Sequence, residues 1–231
     1  ISAISDVVGT VFQNPRTQFF NTDTDSEIVF GLENRGLPSQ ELRNRLEEVS
    51  DQLQIQNLRN RSIFNLSGGE KQKIAFASVY ASNPEIFILD EPSSNLDYSS
   101  IKELRSLIGK IKDQGKTIVI AEHRIWYLME IVDRVILMEK GRIMADMDID
   151  KFRNLPKEQI ERIGLRCRNL SEVNTSVIDI NCDNRLLEVD NLTVKFENNS
   201  LLNGVSFSAN GGDIIAIAGE NGAGKTTLAR A

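Results

Sequence analysis

The sequence has few of the residues that build disulfide scaffolds, zinc sites and membrane spans. Only two cysteines, Cys167 and Cys182, occur in 231 residues; they lack CxxC spacing, and the single histidine, His123, is remote from both. These counts indicate a reducing, cytoplasmic context rather than a disulfide framework or a zinc site. No apolar run approaches the roughly 20 residues that a membrane-spanning helix needs. Any membrane contact would therefore go through a partner.

The charge balance lacks a basic excess. Lysine and arginine number 27 against 33 acidic residues, which gives a net charge of −6. Because nucleic-acid binders usually carry a basic stripe, no nucleic-acid partner is expected. The apolar content of 40% is enough for a buried core.

Short apolar runs alternate with helical patterns in the first two thirds of the chain. Buried strands are predicted at 7–12, 85–89 and 117–121. Helices are predicted to begin at Ser39 as an N-cap, to run from Ser67 to about Ala81, over Ser99–Gln114 and over Ile125–Val132. The Lys140-Gly141 pair between two further runs, 134–139 and 142–145, predicts a hairpin. This alternation favours an α/β fold with a mostly parallel sheet.

The remaining third of the chain has a different residue pattern. Residues 151–185 are polar and irregular and predict a connector with one short helix around Lys157–Ile163. Alternating residues at 187–196 and 201–208 predict antiparallel strands. A buried strand is predicted at Ile214–Ala218, directly before a glycine-rich segment.

That segment, Gly219–Thr226, matches the phosphate-loop pattern G-x-x-x-x-G-K-[ST] in full. Its backbone N–H groups and the helix that follows favour phosphate, Lys225 would reach the β- and γ-phosphates, and the Thr226 hydroxyl would ligate Mg²⁺. A chance match is the alternative, but the preceding apolar run and the helix start at Thr227 argue against it. The other residues expected to contact the nucleotide are Asn221, Gly222, Ala223 and Gly224 of the loop and Thr227 of the helix that follows.

Two polar groups follow predicted strands directly. Asp90-Glu91 comes after the run 85–89, where Asp90 would hold Mg²⁺ through water and Glu91 would polarise an attacking water. Without further context, an acidic pair that caps the strand before Pro92 would be an equal interpretation. His123 follows 117–121, and although a lone histidine is more often structural, its place at a strand end favours contact with a γ-phosphate.

A third segment, Leu66–Glu70, places Ser67, Gly68 and Gly69 at a helix start. Backbone N–H groups, a hydroxyl and the helix dipole together predict an anion site. The S-x-x-E spacing from Ser67 to Glu70 is also that of an ordinary capping box.

Together these motifs resemble the ATPases of ABC transporters. Gln13, Leu66–Glu70, Asp90-Glu91, Ser94–Asp97 and His123 follow that family's order of Q-loop, signature, Walker B, D-loop and H-loop. Segments such as 11–20 and 29–34 are most similar to the ATPases of energy-coupling factor importers, including the cobalt and vitamin group. The resemblance implies an ABC-type P-loop fold with a helical subdomain and an antiparallel β subdomain. It also implies ATP and Mg²⁺ as cofactors, with Gln13 as a metal ligand. Asp97 would contact the nucleotide, and Phe196 would be the aromatic residue that stacks on adenine.

The sequence departs from the family pattern at four positions. Glu70 replaces the commoner glutamine, Lys73 the commoner arginine, Ser93 the commoner threonine, and Phe196 the usual tyrosine. None of these changes removes a catalytic group, so Glu91 and His123 remain the expected catalytic residues.

The order of the motifs is unusual, because the phosphate loop comes last. We therefore expect residues 1–150 to be the C-terminal two thirds of one nucleotide-binding domain, with its helical subdomain at about 37–82. Residues 151–185 would connect it to residues 186–231, the start of a second domain that ends at the phosphate loop. In the intact tandem protein, the phosphate loop would face the signature across one ATP, while Glu91 would serve the other ATP. This chain alone is then not expected to be fully active.

Two kinds of alternative remain open. The two parts could form one permuted or domain-swapped unit, because each motif occurs once. The leading function is the ATPase of a membrane importer, bound to integral membrane subunits at the cytoplasmic face, with ABC domains that dimerise. A soluble tandem ABC ATPase acting on ribosomes is the main rival, and a non-catalytic nucleotide-dependent module is the third.

Overall fold

The computed structural model describes residues 4, 6–94, 96–165, 185–196, 199–219 and 222–231. The chain divides into two compact units, Ile1–Val173 and Asn174–Ala231. Several predictions concern residues outside the described ranges, namely those for Cys167, Cys182, Asn95, Asn221 and most of the connector.

Three parallel strands form the sheet at the centre of the first unit. They are β1 (Val8–Val11), β2 (Ile86–Asp90) and β3 (Thr117–Ala121), in the order β1-β2-β3. Val11 pairs with Leu89, and Asp90 pairs with Ala121, so the carboxyl ends of all three strands meet at one edge. The predicted α/β fold with a parallel sheet is confirmed, and this edge is where parallel sheets usually place their ligands.

Among the described residues of the first unit, side chains on one face of the sheet are buried and those on the other face are exposed. Phe87 and Leu89 are buried, whereas Ile88 is 38% and Val119 54% exposed. The prediction of strands buried on both faces was therefore wrong for β2 and β3. The β-branched residues in these runs suit a strand whether their side chains are buried or exposed. A continuous apolar run therefore does not show whether one face of the sheet is buried or both are.

Two helices pack against the sheet: α3 (Gly68–Ala81) against β1 and α4 (Tyr98–Asp113) against β3. Two further helices, α1 (Thr24–Glu33) and α2 (Ser39–Leu53), pack on α3. Short 3₁₀ turns lie at Pro15–Thr17, Gln56–Leu58, Ile63–Asn65 and Ile125–Tyr127. Apolar side chains spaced by three or four residues point inward, as the helical period requires. Those predicted for α4 are all buried: Ile101, Leu104, Ile108 and Ile111.

The helix ends show which local predictions hold. Ser67 and Glu70 form both hydrogen bonds of the predicted capping box at the start of α3. Ser39 was wrongly predicted as an N-cap: α2 begins at Ser39 itself, and Pro38 occupies the N-cap position without a side-chain cap. This is consistent with the extended backbone of Pro38, whose restricted φ suits the residue that leads into a helix.

Two stretches differ from the predicted helices. Helix α1 was not predicted, although Asp23 caps it by accepting from Ser26 N and its first turn is acidic. The stretch Ile125–Val132 contains only the 3₁₀ turn Ile125–Tyr127, because a segment this short gains too few helical hydrogen bonds to offset nucleation.

The predicted hairpin follows the sheet and helices of the first unit. Strands β4 (Arg134–Glu139) and β5 (Arg142–Asp148) are antiparallel, and Lys140 and Gly141 both have positive φ, as a type I′ turn requires. Two short helices follow, α5 (Ile149–Arg153) and α6 (Lys157–Arg162). The second of these was predicted and the first was not.

The described part of the second unit consists of β6 (Arg185–Phe196), β7 (Asn199–Asn210) and α7 (Lys225–Arg230), with β6 and β7 antiparallel. The predicted strand at Ile214–Ala218 is absent: the described residues 213–219 have no regular structure, and Ile214 is 99% exposed. A parallel strand takes its hydrogen bonds from neighbouring strands, and the described strands of this unit pair with each other instead.

Candidate functional site

Three predicted site residues meet at the carboxyl edge of the parallel sheet. Gln13 follows β1, Glu91 follows β2 and His123 follows β3. Gln13 Nε2 donates a hydrogen bond of 2.7 Å to Glu91 Oε2, and His123 Nδ1 lies 3.8 Å from Glu91 Oε1. We call these three residues the strand-tip cluster. Glu91 is its centre, because each neighbour approaches a different carboxylate oxygen.

The backbone of Glu91 is unusual for a residue with a side chain. Its φ of +41° lies in the left-handed region, which non-glycine residues rarely adopt. Its N–H donates to Ala121 O at 2.8 Å, which extends the β2–β3 pairing by one residue. The strained turn therefore holds the carboxylate at the sheet edge, and strain of this kind is concentrated at functional sites.

The segment after Glu91 fixes the chain around Gln13. Ser94 N donates to Glu91 O at 3.0 Å, and Ser94 Oγ donates to Gln13 O at 3.2 Å. The Gln13 side chain and main chain are thus both bound to the segment that begins at Glu91. Asp90, the predicted Mg²⁺ residue at the end of β2, is exposed to solvent.

The signature segment, Leu66–Glu70, is organised by its glutamate. Glu70 Oε2 accepts from Ser67 N at 2.7 Å, and Glu70 Oε1 pairs with Arg61 Nη1 at 2.9 Å. Partial burial acts to raise the pKa of Glu70, but the hydrogen bonds from Ser67 and the Arg61 guanidinium outweigh burial, and the pKa lies below its ordinary value. The carboxylate of Glu70 thus makes a charged pair with Arg61, which an uncharged glutamine at this position could not make.

A buried lysine supports the same segment from behind. Lys71 Nζ donates to the carbonyls of Leu66 and Phe64, the latter at 3.4 Å. Burial lowers the pKa of Lys71, and the positive charge of Arg16 lowers it further. Lys71, which lies in α3 just after the signature, therefore binds the backbone just before it.

The signature also lies against the first turn of α4, which begins after the predicted D-loop residue Asp97. Asp97 caps α4 by accepting from Ser100 N at 2.9 Å. A Cβ placed on Gly69 would lie 2.7 Å from Ser100 Oγ, so the first turns of α3 and α4 touch where Gly69 has no side chain. Gly68, which is the first residue of α3, completes the predicted signature set.

The phosphate loop, Gly219–Thr226, lies in the second unit. Gly222 and Gly224 both have φ of +87°, which only glycine adopts readily, and Lys225 Nζ donates to Gly219 O at 2.8 Å. Helix α7 begins at Lys225 and includes Thr226 and Thr227. Ala223 lies between the two glycines, Asn221 falls outside the described residues, and the side chain of Phe196, at the end of β6, also falls outside them.

The donor groups suit the expected cofactors. An amide oxygen from Gln13, a carboxylate from Asp90 and a hydroxyl from Thr226 are all oxygen ligands, the kind that Mg²⁺ prefers. The left-handed glycines and the lysine folded over the loop are what a phosphate-binding backbone requires. Each unit therefore carries residues that fit part of a MgATP site. Gln13 and Asp90 suit Mg²⁺ in the first unit, and Thr226 suits Mg²⁺ beside the phosphate loop in the second unit.

One functional candidate was missed by the sequence reasoning. Glu122 immediately precedes His123, and its side chain is only 2% exposed. It accepts hydrogen bonds from backbone groups and from the hydroxyl of Tyr127, whose pKa is raised by burial and by this carboxylate. A charged residue beside the sole histidine was the available signal, but its burial could not be read from the sequence.

Comparison with known proteins gives a consistent result. A family model described as "ABC transporter" matches residues 1–94 and 202–231. The chain is 66% identical to a protein of Treponema denticola and 36% identical to one of Methanosarcina acetivorans; both carry the words "ABC transporter ATP-binding protein" in their names. Each alignment covers 100% of this chain but only 48% and 43% of the relative. The chain thus spans about half the length of these curated relatives.

A solved structure is also similar. The structure of cbiO1 from Clostridium perfringens, described as part of the ABC transporter complex cbiONQ, matches with a TM-score of 0.62 and 32% identity. The match covers 71% of this chain and 66% of that chain. It agrees with the predicted fold class, a mostly parallel sheet with a helical part and antiparallel strands.

Proposed function

The chain belongs to the ABC transporter family, and we propose on this premise that its protein binds and hydrolyses ATP to power solute uptake by an importer of the energy-coupling factor type. The observation that carries the proposal is the strand-tip cluster, in which Gln13 and His123 approach the two oxygens of Glu91. A carboxylate held between an amide and an imidazole is equipped to orient water and to take up a proton. The likeness to cbiO1 supports the importer class.

The residues have distinct roles in this proposal. Glu91 polarises the attacking water as a general base, and His123 contacts the γ-phosphate. Gln13 and Asp90 would hold the Mg²⁺ of one ATP and Thr226 the Mg²⁺ of the other, and each ion supplies charge neutralisation at the phosphates when bound. The phosphate-loop backbone, Phe196 and the signature Ser67–Glu70 with Asp97 bind the nucleotide.

We further propose that the chain is the middle of a tandem protein. Its coverage of about half of each relative supports this division. Residues 1–150 would belong to one nucleotide-binding domain and 186–231 to the next, joined by 151–185. Two ABC domains would then enclose two ATP molecules, so that Lys225 and Glu91 serve different ones.

A membrane partner is proposed on the basis of exposed aromatic side chains near Gln13. Phe12 is 48% and Phe20 75% exposed, and Phe20 stacks on Phe30 with ring centroids 4.9 Å apart. Exposed apolar groups next to the ATP residues suit a subunit that must respond to ATP. No helix within the described residues is long and apolar enough to cross a membrane. We propose that the protein acts through this partner, peripherally at the cytoplasmic face of the membrane.

Hydrolysis is tested in the longer protein that carries this chain. Glu91→Gln should lower kcat at least about 100-fold, because a general base contributes that much or more. Glu41→Gln is the control, since Glu41 is an exposed acid on α2. Equal activity of the two variants would contradict the role of Glu91. Co-purification with small integral membrane proteins would support transport, whereas co-purification with ribosomes would support the rival function.

Nucleotide stoichiometry tests the tandem arrangement. With Glu91→Gln as background, two ATP molecules should bind per longer protein, and adding Lys225→Ala should remove one of them. A single ATP in the Glu91→Gln background, lost when Lys225→Ala is added, would favour a single permuted domain, in which Lys225 and Glu91 serve the same ATP.

A further inference from the structure

A second carboxylate lies behind the strand-tip cluster. Glu122 Oε1 accepts from His123 N at 2.9 Å and from Arg124 N at 3.0 Å. Its Oε2 accepts from Tyr127 Oη at 3.0 Å and from Ser93 N at 3.4 Å. Burying a carboxylate is costly unless its oxygens are hydrogen-bonded, and here both oxygens have two donors.

The donors come from two separate stretches of chain. His123, Arg124 and Tyr127 belong to the turn that follows β3, Glu122–Tyr127, which we call the histidine turn. Ser93 belongs to the segment after Glu91. Arg124 Nη1 also donates to Ser93 O at 3.3 Å, so the two stretches are joined in both directions. Glu122 is the point where the histidine turn is fastened to the segment that carries Glu91.

The same carboxylate also faces the imidazole. His123 Nδ1 lies 3.5 Å from Glu122 Oε1 and 3.8 Å from Glu91 Oε1. Two carboxylates on one side of the ring favour a proton on Nδ1, which leaves Nε2 for the opposite direction. Glu122 therefore acts on both the place and the tautomer of His123.

Aromatic packing keeps the histidine turn from moving independently. Trp126 stacks on Tyr98 of α4 with centroids 5.5 Å apart, and it meets Tyr127 edge-on at 5.8 Å. Tyr127 is buried. The turn is thus supported from the side of α4, and Glu122 determines how the supported turn is placed against Glu91.

We infer that Glu122 is a positioning residue for ATP hydrolysis: it holds His123 beside Glu91 without itself touching the nucleotide. This inference rests on the proposed function, because it gives Glu122 a role in the same reaction. It differs from a purely structural role in one respect. A substitution that removes the Glu122 carboxylate should lower turnover more than a substitution elsewhere that destabilises the protein equally.

The chain offers a matched control. Glu27 is also buried, with 2% exposure, and its carboxylate accepts from Phe20 N at 3.0 Å and Asn21 N at 2.8 Å. Glu27→Gln therefore makes the same chemical change at a similar burial, outside the strand-tip cluster. Tyr127→Phe is a second, milder variant, since it removes one of the four donors to Glu122.

The first arm measures turnover in the longer protein that contains this chain, together with its Tm. Glu122→Gln should lower kcat about 10- to 100-fold, as expected when a reacting group is displaced by a fraction of an ångström to 1 Å, with little change in KM. Tyr127→Phe should lower kcat less. Glu27→Gln should leave kcat within about twofold even if its Tm falls as much. A Glu122→Gln variant no slower than Glu27→Gln would overturn the inference.

The second arm needs no activity. His123 is the only histidine of these 231 residues, and its signals in the ¹⁵N-histidine spectrum of the longer protein are identified by their loss in His123→Gln. The wild type should carry its proton on Nδ1, and Glu122→Gln should shift both nitrogen resonances while Glu27→Gln leaves them in place. Identical spectra for wild type and Glu122→Gln would overturn the positioning role. If the wild-type longer protein failed to hydrolyse ATP, the proposed function would fail, and this arm would still decide the geometry.

Discussion

Replacing Gly9 with alanine should destabilise the first unit through a steric clash. Gly9 lies in β1, and a Cβ there would be 2.4 Å from Val79 Cγ1 and 2.8 Å from Pro84 Cγ. Carbon atoms in contact are normally about 3.5–4.0 Å apart, so β1 and α3 would have to separate by roughly 1 Å. Valine has a stiff side chain in a helix and the proline ring is rigid, so neither neighbour can turn away.

Overpacking of this kind costs about 1–3 kcal/mol, and we expect the upper part of that range. The free energy of unfolding, measured by urea denaturation, should fall by this amount. Strand β1 also leads into Gln13, whose 2.7 Å hydrogen bond to Glu91 tolerates only small shifts. ATP hydrolysis by the longer protein should therefore decrease together with stability.

The same substitution at Gly109 is the control. Gly109 lies inside α4, and a Cβ there would meet nothing within 4 Å. Gly109→Ala should stabilise the protein by about 0.5–1 kcal/mol, because alanine favours a helix more than glycine does. Adding Val79→Ala to Gly9→Ala should restore part of the lost stability. A Gly9→Ala variant as stable as the wild type would refute the packing argument.

Two further predictions concern the signature and the phosphate loop. Glu70→Gln keeps the hydrogen bond from Ser67 but loses the ion pair with Arg61, so it should cost about 0.5–1 kcal/mol at pH 7. Because the pKa of Glu70 is lowered in the folded state, its charge contributes full stability above the unfolded pKa. This difference from the variant should disappear as the pH falls through the lowered folded pKa; a pH-independent difference in urea denaturation would contradict it. Gly224→Ala places a Cβ 2.9 Å from Leu202 Cδ2 at a φ of +87°, and it should weaken binding of a fluorescent ATP analogue at least about 10-fold. Unchanged binding would mean that the loop geometry is not needed.

Local sequence rules predicted the elements whose chemistry is contained within a few residues. The capping box of Ser67 and Glu70 and the turn at Lys140-Gly141 each depend on neighbours in the chain, and both are found in the structure. The strand-tip residues were also identified, because a polar group directly after an apolar run is visible without knowing the fold. The contacts that these residues make with one another were not identified from the sequence.

The errors have a common physical origin in distant partners. Whether β2 and β3 are covered on one face or two depends on which elements pack against them, not on their own composition. The stretch Ile214–Ala218 has the composition of a buried strand, but the described strands of its unit give it no pairing partner. Glu122 was missed because its burial depends on Ser93, which is 29 residues away.

The order of the strands in the sheet determines which of the predicted site residues lie close enough to touch. Neighbouring strands are about 4.8 Å apart, so groups at the ends of adjacent strands can touch, whereas groups two strands apart are separated by about 10 Å. The order β1-β2-β3 places Glu91 on the middle strand, between Gln13 and His123. Had β1 been in the middle, Gln13 would separate Glu91 from His123, and the 3.8 Å approach of imidazole to carboxylate could not occur. The same adjacency of β2 and β3 allows Glu122 to reach the segment after Glu91. The order of the three strands, which no motif specifies, is therefore what turns separate polar residues into one cluster.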